Sequence, residues 1–180
     1  LFEVLRARST LRPDLIVAHG GRGAPTLFLR EVVDCPIMLY CEYFFAAGHS
    51  DISYRIDLPP AEPAPYFPRC INAQSLVCLV DSDAGYSATR WQKDSFPARF
   101  HHKIDVAFDG IDTAFYRPGP TPRKIGGETV APDTRIVTYV ARGLESIRGF
   151  DLFMEVADRI ARERSDVLFV VVGGEGIHYG

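Results

Sequence analysis

The sequence lacks the features that mark membrane-spanning, nucleic-acid-binding and repeat proteins. No apolar run approaches the roughly 20 residues that a membrane-spanning helix needs. The formal net charge is −3, so no basic excess favours nucleic acid as a partner. No segment recurs at the fixed period of about 20–50 residues that is typical of repeat proteins. These absences leave a globular protein, and its 47% hydrophobic residues are ample for a packed core.

Cysteine is scarce, and its spacing does not favour a metal site or a disulfide. The four cysteines are Cys35, Cys41, Cys70 and Cys78, and no two of them form a Cys-x-x-Cys pair. Structural zinc sites favour tighter ligand spacing. Apolar residues stand next to each cysteine, so we predict small buried side chains, as in a protein of the reducing cytoplasm.

Strand-like and helix-like segments alternate along the chain, which predicts an α/β fold with parallel sheets. The predicted strands span residues 14–18, 36–41, 85–88, 103–108, 135–141 and 167–174. The predicted helices span residues 24–33, 69–80 and 89–95, with the clearest one after Gly149. Between them, residues 45–68 predict a long irregular loop, and residues 113–134 hold four prolines and predict an interdomain linker or an exposed hairpin.

Arginines and glycines follow the two predicted strands of the last third of the chain. Arg142 and Arg148 come after the strand 135–141, and Gly173 and Gly174 end the strand 167–174. Ligands of parallel sheets bind outside the carboxyl ends of the strands, and a guanidinium fork suits phosphate oxygens. The loop taken alone leaves two interpretations open, a phosphate site and a solvated surface loop.

Polar residues and glycines also follow the first two predicted strands. His19, Gly20 and Gly21 come after the strand 14–18, and Glu42 follows the strand 36–41. The order Gly-Gly-x-Gly is not a dinucleotide-binding fingerprint. His19 is open to a structural role at its own strand, and Glu42 to being either a solvated loop carboxylate or a partner of sugar hydroxyls.

The sequence of the last third of the chain resembles the start of the C-terminal domain of family 4 (group 1) glycosyltransferases, which have the two-Rossmann-domain GT-B fold. The resemblance rests on Ala141-Arg142-Gly143-Leu144, Arg148-Gly149-Phe150 and Val172-Gly173-Gly174-Glu175-Gly176. Ala141 replaces a usual glycine, and Arg148 replaces a usual lysine. The resemblance implies that Arg142, Arg148, Gly173 and Gly174 bind the diphosphate of a nucleotide-sugar donor.

The first two thirds resemble the N-terminal domain of a bacterial subgroup of the same enzymes. The matching segments are residues 14–21, 40–45, 89–92 and 109–112, although Arg22 stands where tryptophan is common. The resemblance implies that His19 lines the cleft near the transferred sugar and is the catalytic candidate. It also implies that Gly20, Gly21 and Glu42 position the substrate.

The resemblance implies a GT-B protein of which this sequence is an internal part. Residues 1–112 would be the C-terminal half of the N-terminal Rossmann-like domain, and residues 135–180 the start of the nucleotide-sugar-binding domain. The implied activity is a hexosyl transfer from a nucleotide diphosphate sugar to a glycan or lipid-linked acceptor, with retention of configuration and without cofactor or metal. We expect a cytoplasmic protein that contacts the inner face of the membrane, and expect the 180 residues alone to be inactive and poorly stable.

Two other functions and one other architecture stay open at this point. A non-catalytic GT-B-like module would bind a glycan or a partner protein, and a nucleotide-sugar epimerase would share the same shape. The other architecture is a single flavodoxin-like domain, in which the strands 14–18 and 136–140 would be neighbours in one sheet.

Overall fold

The computed structural model divides the chain into two compact units, residues 1–112 and residues 113–180. It describes residues 2–7, 9–21, 24–46, 55–58, 66–119 and 123–176. Arg22 and most of the predicted loop 45–68 therefore lie outside the described residues. No helix among the described residues is long and apolar enough to cross a membrane.

The first unit is built on a four-stranded parallel sheet with the strands in chain order. The strands are β1 (Ile16–His19), β2 (Ile37–Tyr40), β3 (Ala84–Ser87) and β4 (Ile104–Val106). Each is short and joined to the next through helical turns, as parallel pairing requires. The predicted α/β class with parallel sheets is confirmed.

A short helix, α1 (Phe2–Ala7), precedes β1, and helices of very different length connect the four strands. The connecting helices are α2 (Leu29–Val32), α3 (Phe67–Asp81) and α4 (Arg90–Ser95), with 3-10 turns at Ala24–Phe28 and Ala98–Lys103. Proline stands in the first turn of α3, where its missing N–H costs no hydrogen bond. Thr89 caps α4 by accepting from the Gln92 N–H, as its sequence predicts.

The core of the first unit lies between the sheet and α3. Leu39 of β2, Leu79 of α3 and Ile104 of β4 are almost wholly buried, and Cys41, Cys78 and Phe96 join the same cluster. The sequence predicts that Ile71, Leu76, Val77 and Leu79 face inward; Leu79 is buried, but Ile71 is 40% exposed and Val77 is 45% exposed. Asn72 and Ser75 occupy inward positions instead, each satisfying backbone groups.

The cysteines follow their prediction only in part. Cys41 and Cys78 are buried, Cys35 is half-buried and Cys70 is exposed on α3, and all four are free. Burial raises the pKa of the Cys41 thiol to about 12. The wrong prediction for Cys70 has a simple cause: its immediate neighbours in sequence do not decide which face of a helix it occupies.

One carboxylate ties the amino ends of β2 and β3 to α2. Asp83 Oδ2 accepts hydrogen bonds from the Ile37 N–H at 2.8 Å and from Arg30 Nη2 at 2.6 Å. Arg30 also donates to the Asp81 carbonyl at the end of α3. The Ile37 N–H and the Arg30 guanidinium lower the pKa of Asp83, so the ionised form is the one that holds these elements together.

The second unit contains a hairpin and a separate parallel pair of strands. The hairpin joins β5 (Lys124–Ile125) to β6 (Glu128–Thr129) through Gly126 and Gly127, both with positive φ. The pair consists of β7 (Arg135–Gly143) and β8 (Val167–Gly174), connected by a 3-10 turn at Ser146–Arg148 and by α5 (Phe150–Glu163). Strands β1 and β7 thus belong to different sheets, unlike in a single flavodoxin-like domain.

Candidate functional site

The carboxyl end of the first sheet brings together residues from three strands. His19 is the last residue of β1 rather than the residue after it, and it lies beside Tyr40, the last residue of β2. The Gly20 N–H donates to the Tyr40 carbonyl at 2.9 Å and so extends the ladder by one bond. Because both strands end together, the segment after β2 brings Glu42 to the His19 ring.

The His19 imidazole lies between two oxygen atoms. Its Nδ1 is 3.0 Å from the Gly20 carbonyl oxygen, and its Nε2 is 3.2 Å from Glu42 Oε2. A carbonyl oxygen only accepts, so Nδ1 carries the proton in this contact. A second proton on Nε2 would make the Glu42 contact a charge-assisted hydrogen bond. Both side chains are about two-fifths exposed, so a substrate has access to the pair.

Tyrosine rings and a second carboxylate surround this pair. The Tyr40 ring meets the His19 ring edge to face at 5.2 Å and the Tyr86 ring at 5.1 Å. The Tyr40 hydroxyl lies 3.5 Å from Asp109 Oδ2. Burial, followed by the negative charges of Asp109 and Glu42, raises the pKa of Tyr40. The phenol is therefore held as a hydrogen-bond donor at this edge of the sheet.

The two glycines after β1 are required by close packing. A Cβ on Gly20 would lie 3.1 Å from both the Tyr40 carbonyl oxygen and a methyl group of Leu39. Gly21 has φ +71°, and a Cβ there would lie 2.6 Å from Ser75 Oγ of α3. These close contacts fix the shape of the turn that follows His19.

In the second unit, the predicted phosphate-binding residues lie at the carboxyl ends of β7 and β8. Arg142 belongs to β7, which is longer than predicted, and its side chain is exposed. A register shift between Val140 and Gly143 interrupts the pairing of the two strands. Gly173 fits against this irregularity, since a Cβ there would lie 2.6 Å from the Ala141 carbonyl oxygen. Gly174 accepts a hydrogen bond from the Leu144 N–H at 3.2 Å.

Arg148 is held by a buried carboxylate. Its Nε donates to Glu145 Oε2 at 3.2 Å, and the Glu145 side chain is only 6% exposed. The Tyr139 hydroxyl donates to the Arg148 carbonyl at 3.2 Å. Gly149 then takes a left-handed conformation, φ +73°, and α5 begins at the next residue. Arg148 is thus fixed from its backbone and from its side chain.

A family model described as a glycosyl transferase family 4 group matches residues 1–116. The chain belongs to this family. The match covers the first unit with its His19–Glu42 pair, and it confirms the family to which the sequence motifs pointed. Glycosyltransferase activity in general follows from this membership. A comparison with curated proteins gives no match.

Three residues that contact the candidate site residues of one unit or the other are given no role by the sequence. The sequence indicates only that Tyr40 and Tyr86 are strand residues. Both stand near the carboxyl ends of their strands, and this position could have identified them as candidate site residues. Glu145 has no comparable signal, because its burial depends on Arg148 and the turn before α5. Within the part of the chain that the structure describes, no three His, Cys, Asp or Glu side chains are grouped as a metal site would require.

Proposed function

We propose that this glycosyltransferase moves a hexosyl group from a nucleotide diphosphate sugar to a glycan or lipid-linked acceptor, with retention of configuration. The observation that carries the proposal is the His19–Glu42 contact at the carboxyl end of a parallel sheet in a family 4 chain. Retention and the hexosyl group rest on the family resemblance of the sequence motifs.

The roles of the first unit follow from what its side chains can donate and accept. Glu42 orients the His19 ring through Nε2, and it is accessible enough to accept hydrogen bonds from sugar hydroxyls. The Gly20-Gly21 turn fixes the position of His19 along the sheet edge. We propose that His19 positions the transferred sugar and that Glu42 orients both the His19 ring and the substrate. Correct placement of reacting groups is a large part of catalysis.

The roles of the second unit follow from its positive charge. The leaving diphosphate gains negative charge as the sugar departs, and fixed guanidinium groups stabilise that charge. Arg142 offers an exposed fork at the end of β7, and Arg148 is already oriented by Glu145. Gly173 and Gly174 leave the end of β8 without side chains, so a diphosphate would meet backbone there. With two arginines in this role, we propose a reaction that needs neither cofactor nor metal.

The domain assignment is part of the same proposal. Residues 1–112 belong to the N-terminal domain of a GT-B protein, and residues 135–180 are the start of its nucleotide-sugar-binding domain. Residues 113–134 form the linker or hairpin between them in sequence. The protein acts in the cytoplasm and meets its lipid-linked acceptor at the inner membrane face. We expect the 180-residue chain alone to be inactive.

The test is an assay of the full-length protein with UDP- and GDP-sugars. We expect release of nucleotide diphosphate that persists in EDTA, and a product whose anomeric configuration by proton NMR equals that of the donor. An inverted product would contradict retention alone. Binding of saccharide without any binding or release of nucleotide would favour a non-catalytic module, and a changed sugar still attached to its nucleotide would favour an epimerase.

A further inference from the structure

Three aromatic side chains form one continuous surface in the first unit, here called the aromatic platform: Tyr43, Phe45 and Trp91. The rings of Tyr43 and Trp91 stack almost parallel, with centroids 5.3 Å apart and an interplanar angle of 12°. The Phe45 ring meets Tyr43 edge to face at 4.9 Å. The sequence, in which Thr89 and Gln92 form a capping box, predicts Trp91 to be a packing residue, and this is only partly right, because Trp91 stacks on Tyr43 and is nevertheless 67% exposed.

The backbone beneath the platform is held in place by buried and half-buried polar groups. Asn72 of α3 accepts from the Phe45 N–H at 3.0 Å and donates to the Phe45 carbonyl at 2.6 Å. Ser95 of α4 accepts from the Phe44 N–H at 3.1 Å. Phe44 points the other way and packs against the buried Phe96 at 5.5 Å. The segment is therefore fixed before any ligand binds, which lowers the entropy cost of binding.

The platform leaves one indole face of Trp91 open to solvent. Tyr43 covers the other face, so the large exposed fraction of Trp91 comes from the uncovered face and its edges. Single exposed hydrophobic residues are normal and need no explanation. Three contacting rings on a backbone held by Asn72 and Ser95 are a different case, because the arrangement is well ordered and still leaves Trp91 mostly exposed.

The platform and the His19–Glu42 pair both follow strand ends of the first sheet. Tyr43 directly follows Glu42, and the helix that carries Trp91 begins just after β3 ends. Both sequence positions are therefore at the carboxyl edge of the first sheet, where Glu42 contacts the His19 ring.

We propose that the aromatic platform is a saccharide subsite, in which a pyranose ring of the acceptor stacks on the open face of Trp91. The acceptor role rests on the proposed function, whereas saccharide binding itself does not. The C–H groups on one face of a pyranose ring are weakly positive and apolar, and they match the negative face of an aromatic ring.

The experiment uses the fact that the chain contains a single tryptophan, so its fluorescence reports the platform alone. The 180-residue chain, at a temperature where circular dichroism shows it to be folded, is titrated with mannotriose, cellotriose and chitotriose while Trp91 emission is followed. We expect a saturable emission change with at least one of the three. Binding of that trisaccharide is then measured by calorimetry for Trp91→Ala, Tyr43→Ala and Trp91→Phe.

Binding should weaken about threefold to tenfold in Trp91→Ala, the range of one aromatic face contact, and recover in large part in Trp91→Phe. Tyr116→Ala is the matched control, because Tyr116 is 70% exposed and contacts the Phe115 ring at 4.9 Å in the second unit. This control should bind like the unmodified chain. Circular dichroism shows whether each variant is folded.

Three outcomes would overturn the proposal: no emission change with any trisaccharide, equal binding by Trp91→Ala, or an emission change with phosphatidylglycerol vesicles and none with saccharides. The proposed function fails separately. Full-length protein that releases nucleotide diphosphate while Trp91→Ala binds saccharide normally would refute only the subsite. A working subsite in a protein without any nucleotide binding would refute only the transferase.

Discussion

The Nε2 atom of His19 lies 3.2 Å from Oε2 of Glu42, although the two residues come from the ends of different strands. The parallel pairing of β1 with β2 creates this contact, because it aligns His19 with Tyr40 and lets the next residues turn toward the ring. With Nδ1 facing the Gly20 carbonyl, Glu42 fixes the second nitrogen of the imidazole. The orientation of His19 therefore depends on a side chain that does not belong to its own strand.

Replacing Glu42 by glutamine tests this dependence. Glu42→Gln keeps the shape of the side chain and removes its charge, so a His19 ring with protons on both nitrogens loses a charge-assisted hydrogen bond, and we expect kcat/KM of the full-length protein to fall about tenfold. Asp105→Asn, which removes an exposed carboxylate from β4, is the control and should keep full activity. Unchanged kcat/KM in Glu42→Gln would mean that Glu42 does not orient the ring.

The turn after β1 should not tolerate a side chain at position 21. Gly21→Ala combines a positive φ with a Cβ 2.6 Å from Ser75 Oγ, so we expect urea unfolding to show a loss of about 2 kcal/mol or more. Gly110→Ala isolates the backbone cost, because Gly110 has φ +80° and open space around a Cβ. It should lose about 1–2 kcal/mol. A Gly21→Ala variant that is no less stable than Gly110→Ala would show that Ser75 does not restrict this turn.

Asp83 predicts a pH dependence of stability. Its pKa is lowered in the folded state by the Ile37 N–H and the Arg30 guanidinium. The stabilisation it provides is therefore complete above the pKa of the unfolded chain, about 3.9, and is lost as the pH falls through the lower folded-state pKa. Asp83→Asn should melt below the unmodified protein at neutral pH, and the gap between the two Tm values should shrink as the pH falls below about 4.

Asp34→Asn, an exposed carboxylate change in the turn before β2, is the control for this series. It should leave Tm close to that of the unmodified protein at neutral pH. A gap between Asp83→Asn and the unmodified protein that stays constant across the acid range would contradict the assignment of this carboxylate.

The two arginines of the second unit should both contribute to binding of the diphosphate. Arg142→Ala removes an exposed fork, so we expect nucleotide diphosphate binding by the full-length protein to weaken about tenfold. Arg148→Ala also removes a donor from the buried Glu145 carboxylate, so it should weaken binding and lower the free energy of unfolding by about 1–3 kcal/mol. Calorimetry with UDP and GDP and urea unfolding measure the two effects. An Arg148→Ala variant as stable as the unmodified protein would refute the role of Glu145.

The sequence predicts the elements of this fold well because each carries its own local signal. Apolar runs bounded by proline, glycine or polar residues mark β2 and β8, and the spacing of Phe150, Phe153 and Ala157 marks α5. The glycine at position 110 also adopts the positive φ that its turn motif predicts. These features depend on neighbours in sequence, which is the information that a single sequence contains.

Contacts between distant residues are what the sequence does not reveal. The predicted inward face of α3 is right at Leu79 and wrong at Ile71 and Val77, which are exposed, whereas Asn72 turns inward to bond the Phe45 backbone of another segment. The stacking of Trp91 on Tyr43 is missing from the prediction for the same reason, since only the path of the chain after β2 brings Tyr43 against it. The roles proposed for His19, Glu42, Arg142 and Arg148 stay predictions.

The most direct test of the account is the rate at which the full-length protein releases nucleotide diphosphate from UDP- and GDP-sugars before and after His19→Ala. We expect the accepted donor to be turned over by the unmodified protein and the rate to fall about a hundredfold in His19→Ala, the effect of misplacing a reacting group, with unchanged circular dichroism. No release by the unmodified protein with any donor, or equal rates in both proteins, would contradict the account.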